Sequence, residues 1–226
     1  MNDKKPNPLP APRAHGPRAS LALLALAVLA GCATTARDPL GLPASLQGRA
    51  EVLRLDDPDL ERAMAFNALK KPGDGGVLGV AVVRITQDVP VYRLWNGPGV
   101  RDANGNTNRL GGWWSADKPS GPVAQYRTDY EVCNTWNQLT WLASCTLRPG
   151  AVVVVGPGQS VSAQTCGDTS GQESYPANRR LWQIYVDQPW KRAAELSCPP
   201  ESADVEVDPA DVSKPRNPAA MARAVQ

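Results

Sequence analysis

Between the turn Arg148-Pro149-Gly150 and the turn Gly156-Pro157-Gly158 the chain runs Ala-Val-Val-Val-Val. β-Branched residues in an unbroken row are poor helix formers and sit well on a pleated surface. The run is far shorter than the roughly 20 residues a membrane-crossing helix needs. It carries no polar residue to show to water, so it reads as a buried central strand. The chain is therefore expected to be mainly β, built around residues 151–155.

Other segments extend that reading. Val77 to Ile85 is a second valine-rich run, and Val89 to Trp95 continues it as another strand. The polar loop Asp102 to Asn108 turns at Asn104-Gly105. Its lettering opens like a calcium loop, but Thr107 stands where glycine is needed and Trp113 where a bidentate acid is needed, so no metal is expected. Gln125 to Cys133 places Tyr126, Thr128, Tyr130 and Val132 on one side of an alternating pattern and reads as a strand. Leu139 to Leu147 and Arg180 to Val186 read as strands as well. One helix is expected after the cap Asp57-Pro58-Asp59, ending at Lys70-Lys71 before Pro72-Gly73.

The N-terminus has a different texture. Lys4, Lys5, Arg13 and Arg18 precede the apolar run Leu21 to Ala30, the pattern of a secretory signal. It ends in Leu29-Ala30-Gly31-Cys32, which resembles the bacterial lipobox. That resemblance implies a signal peptide over 1–31, an acyl chain such as palmitate on Cys32, and a membrane anchor through that lipid. Ala33 in place of aspartate implies sorting to the outer membrane, facing the periplasm or the cell surface. Residues 32–49, broken by Pro39, Gly41, Pro43 and Gly48, read as a tether. Without residues 1–31 the formal charge of +2 becomes about −1, leaving nothing basic to hold a nucleic-acid backbone. The only histidine, His15, leaves with the signal, and a His-based relay leaves with it.

Cys133, Cys145, Cys166 and Cys198 remain, an even number in a chain bound for an oxidising compartment. They read as two disulfides. Three connectivities are possible, and the favoured one joins Cys133 to Cys145 and Cys166 to Cys198. The domain is read as residues 50–198, and 199–226, rich in Pro, Ala and acids, as a disordered tail.

The stretch Val91 to Ser115 carries the functional reading. It begins Val-Tyr-Arg-Leu-Trp, with Arg93 on a strand, and returns through Gly111-Gly112-Trp113-Trp114-Ser115, where glycines permit close backbone approach and indoles supply flat surface. Then follow Pro119-Ser120-Gly121-Pro122, Trp136-Asn137, the valine strand after Pro149-Gly150, and Leu181-Trp182-Gln183-Ile184-Tyr185. This order, over residues 80–188, resembles the ADP-ribosyltransferase-like domains of bacterial polymorphic toxins, including their NAD glycohydrolases. The resemblance implies an α+β, mainly β fold of split antiparallel sheets with one N-terminal helix. It implies NAD as substrate, with Arg93 forking onto a phosphate, Trp114 and Ser115 positioning the nicotinamide half, and Gln183 bonding a ribose hydroxyl as the glycosidic bond breaks. A protein-modifying transferase carries glutamate where Gln183 stands, which favours a glycohydrolase or an inactive relative. The alternative is a non-catalytic outer-membrane lipoprotein whose tryptophans bind peptidoglycan, another glycan, or a partner envelope protein.

Overall fold

The computed structural model describes residues 41–64 and 67–216. The signal peptide, Cys32, the tether up to residue 40 and the chain end from 217 lie outside the described residues. No described helix is long and apolar enough to cross a membrane.

In chain order the elements are β1 (Ala50–Val52), α1 (Pro58–Met64), β2 (Ala81–Ile85), β3 (Val89–Trp95), β4 (Trp113–Ser115), α2 (Val123–Asp129), β5 (Trp141–Leu147), β6 (Val152–Pro157), α3 (Ala163–Cys166), β7 (Trp182–Tyr185), β8 (Leu196–Ser197), β9 (Val205–Asp208) and β10 (Asp211–Pro215). Among the described residues the fold is mainly antiparallel β with three short helices and two disulfides. The strands bond in the order β1-β2-β6-β7-β4-β3-β5-β9-β10, with β8 on β5. They make one ten-stranded sheet where split sheets were expected.

The valine run is β6, held between β2 and β7. Val153 and Val155 join Val83, Ile85, Val91, Trp114, Leu147 and Ile184 in the largest core cluster. Val152 and Val154 face the other way, toward Leu53, Ala63 and Val77. A strand covered on both faces has no polar side to display, which is why no alternation was visible in its sequence.

Five further expectations are corrected. The segment 125–133 is largely helix, α2, entered from the extended Pro122. Tyr126 and Tyr130 lie one turn apart with ring centroids 4.6 Å from each other. Residues spaced by four satisfy both a period of two and a helical turn, and tertiary burial of Tyr126 decides for the helix. The N-terminal helix is shorter than its capping signals suggested, ending at Met64.

The disulfides join Cys133 to Cys166 and Cys145 to Cys198. Strand β8 pairs Thr146 with Ser197, so the next residues along, Cys145 and Cys198, come opposite each other across the ladder. Cys133 and Cys166 share a separate small cluster with Val161.

The segment beyond 198 is not a disordered tail as far as it is described. Val207 and Val212 are buried with Leu94, Tyr126, Leu139 and Leu142. Its start is fixed by a buried fork in which Arg109 Nε donates to Asp204 Oδ2 at 2.6 Å and Nη2 to Oδ1 at 2.8 Å. The end of the expected tether is also folded, with Leu42 and Leu46 inside the main core.

Candidate functional site

The register of the central strands sets the site. Ser115 on β4 stands opposite Tyr92 on β3 and opposite Gln183 on β7, and Gln183 stands opposite Gly156 on β6. Directly opposed residues share a face, so Tyr92, Ser115 and Gln183 start from one face of the sheet. Helix α2 lies over that face. Its tyrosines, with Trp113, Trp136, Arg93, Glu131 and Gln183, wall a cavity of about 120 Å³.

The residues singled out from sequence fall into different places around it. Arg93 and Gln183, ninety positions apart, both line the cavity, as does Trp114. Trp114 is nevertheless a core residue, 2% exposed, with its indole N–H donated to Gly111 O at 2.8 Å. Ser115 is wholly buried behind the tyrosines. Its hydroxyl faces two carbonyls, Asp117 O at 3.0 Å and Tyr92 O at 3.3 Å. In this arrangement Ser115 ties β4 to β3. Burial pushes the Tyr126 hydroxyl up to about 12 and raises that of Tyr130 as well, so both stay protonated donors.

Arg93, one residue past Tyr92, starts from the face of β3 opposite to that of Ser115 and Gln183 and reaches the cavity only as part of its wall. Its Nε donates to Asn108 O at 3.1 Å and its Nη1 to Trp113 O at 2.8 Å. The paired glycines of the hairpin serve this packing. A Cβ on Gly111 would stand 2.2 Å from Arg93 Nη2, and one on Gly112 would stand 2.8 Å from the Tyr185 ring. Among the described residues no carboxylate forms an ion pair with Arg93. Desolvation lowers its pKa to about 10, so at neutral pH it is a half-buried cation answered mainly by carbonyl dipoles.

Sequence reasoning missed the most unusual residue of the site. Glu131, just past the end of α2, is 2% exposed and has a left-handed backbone, φ 49°. A non-glycine residue in that region is uncommon and carries strain of ~1 kcal/mol or more. Its Oε1 accepts the Asn178 backbone N–H at 2.9 Å, and its Oε2 accepts from Gln183 Nε2 at 2.7 Å. The carboxyl rests on Gly158, where a Cβ would stand 2.0 Å from Oε2. Burial pushes its pKa up to about 8, against the opposing pull of those two hydrogen bonds. Nothing local in Tyr130-Glu131-Val132 marks this acid; its partners lie 27 to 52 positions further along.

The cavity is the size of a ring. A pocket of ~150 Å³ takes one benzene, whereas sites enclosing larger ligands run to ~300 Å³ and more. It can hold a single flat heterocycle among aromatic side chains, with an amide and a carboxyl at one end and a cation in the wall. Trp136, 44% exposed, joins the cavity lining to the surface. Among the described residues no group of three or more His, Cys, Asp or Glu is placed to hold a metal ion. Comparison of the chain with protein-family models, with curated proteins and with solved structures finds no match in any of the three.

Proposed function

We propose that this protein is an envelope lipoprotein whose domain binds, and in the active case hydrolyses, NAD-like nucleotides at the cavity beside α2. The observation that carries the reading is the meeting of Arg93 and Gln183 on one ring-sized cavity roofed by tyrosines. A nicotinamide ring matches that volume. The rest of the dinucleotide would lie outside across Trp136, and a guanidinium without a carboxylate partner suits a phosphate. Nicotinamide leaves NAD already carrying the electrons of the broken bond, so the site needs orientation and polar support more than an acid. A toxin acting on the nucleotides of competitors or hosts is the setting this chemistry fits.

The test is to incubate the mature domain with NAD and follow nicotinamide release, with NAD binding measured in parallel. Wild type is expected to do one or both. Gln183→Met, which keeps the side-chain length and removes the amide, is expected to lose about 100-fold in kcat/KM. A domain that neither binds NAD nor releases nicotinamide ends this reading.

The anchoring half has its own test. Cells fed a radiolabelled or clickable palmitate should label the wild-type protein and should not label Cys32→Ser. Equal labelling of the two would remove Cys32 as the acylated residue.

A specific feature also favours the non-catalytic alternative. Trp190, 62% exposed, edges a larger hollow of about 670 Å³ whose lining includes Arg101, Asn106, Thr107 and Glu201. An open indole beside planar polar groups suits a sugar ring. Enrichment of the domain on isolated sacculi, lost in Trp190→Ala, is the result this alternative expects.

A further inference from the structure

Gln183 lies at the end of the cavity with its amide orientation decided by its neighbours. Its nitrogen donates to two acceptors, Tyr130 O at 3.2 Å and Glu131 Oε2 at 2.7 Å. With Glu131 ionised, a flipped amide would aim its oxygen at both acceptors, so the assignment is forced by the network. The amide oxygen has no protein donor and does not belong to the buried unpartnered atoms, so it opens on the cavity that Gln183 lines. Glu131 cannot turn away. Asn178 N–H holds its second oxygen, and the bare Gly158 gives the carboxyl its seat.

We propose that Glu131 is a positioning residue that fixes Gln183 with its acceptor oxygen toward the ligand, so that the cavity selects flat rings bearing an N–H donor, as an aromatic carboxamide does, over the corresponding carboxylates. The inference rests on the cavity being the ring-binding site proposed above. A carboxamide gives its N–H to Gln183 Oε1. A ring carboxylate in the same place has no donor to give and meets both that oxygen and the Glu131 carboxyl. One unmade hydrogen bond to a buried polar group is worth a factor of about ten or more in affinity.

Glu131→Gln is expected to undo the selection. A glutamine here has one acceptor for two donors. With its oxygen kept on Asn178 N–H, its nitrogen faces Gln183, whose amide then turns its oxygen inward to accept and its nitrogen out to the cavity.

Binding of nicotinamide, benzamide and nicotinate to the folded domain can be compared by NMR titration at pH 9, where Glu131 is ionised and accepts from Gln183. Wild type is expected to bind both carboxamides at least tenfold more tightly than nicotinate. In Glu131→Gln that ratio should fall to near one or invert, while a ring is still bound. Wild type binding the carboxamides, with the ratio unchanged in Glu131→Gln, overturns the inference and leaves the ring site standing. Wild type binding none of the three overturns the site itself, and the inference with it. Should Glu131→Gln not fold, Gln183→Met must abolish the preference with ring binding retained; a preserved tenfold ratio in that variant also overturns the proposal.

Discussion

Unfolding free energies measured by urea at pH 5 and pH 9 are expected to converge and then cross in favour of Glu131→Gln as pH rises. In the folded chain the Glu131 pKa lies at about 8, against 4.5 for an unperturbed glutamate. Between those values the folded protein keeps a proton that the unfolded chain has released. The contribution is therefore fully present below pH 4.5 and is lost as pH rises through 8. One pKa unit is about 1.4 kcal/mol, so the wild type should lose on the order of 3–4 kcal/mol between pH 5 and 9 from this group alone. Glutamine does not titrate. With Gln183 turned to accept from it, the bond from Gln183 to Tyr130 O is lost, which disfavours the variant at pH 5 by ~1–3 kcal/mol. The difference between variant and wild type cancels the other titrating groups, and a difference that does not change with pH would show that Glu131 ionises as an ordinary surface acid does.

Arg109→Met should destabilise the domain by ~3–5 kcal/mol, because it leaves Asp204 buried and ionised without its guanidinium. The side chains of this pair are 9% and 2% exposed, and Arg109 Nη2 also holds Pro199 O at 2.8 Å. Pairing with Asp204 raises the Arg109 pKa, so the arginine remains charged across the accessible range. The double variant Arg109→Met, Asp204→Leu is expected to recover most of the loss, since an apolar pair of similar volume leaves no orphaned charge. Limited proteolysis reports the same event locally: in the single variant, cleavage should begin beyond Cys198 while the valine core is still protected. A double variant as unstable as the single one would mean that the side-chain volume, and not the charge, holds this corner.

What the sequence disclosed and what it concealed divide along a physical line. Residues 152–155 and 89–95 were legible as strands because their β-branched and aromatic content is a local property. Arg93 and Gln183 were legible as candidates because each sits at a marked place in such a strand. The pairing of Cys145 with Cys198 was not, since it follows from where β8 lands on β5, and strand partnership leaves no trace in spacing. The fold beyond 198 was hidden for a related reason. Val205, Val207 and Val212 are too few to make a pattern, yet the apolar ground prepared by α2 and β5 is enough to seat the last two. Glu131 was the hardest to see, because its environment is assembled from β7, the turn after β6 and the segment around Asn178.

The missing side chain at position 158 bears on how this molecule can change. Alanine there would push the acid out of its seat, and with it the amide it orients, though residue 158 itself need touch no ligand. Random mutagenesis scored by ligand preference should therefore single out a silent hydrogen atom in a turn as sharply as any reactive group. A compensating partner is equally definite: shortening the acid, as in Glu131→Asp, makes room for one methyl, so the two positions are expected to drift together through evolution and never singly.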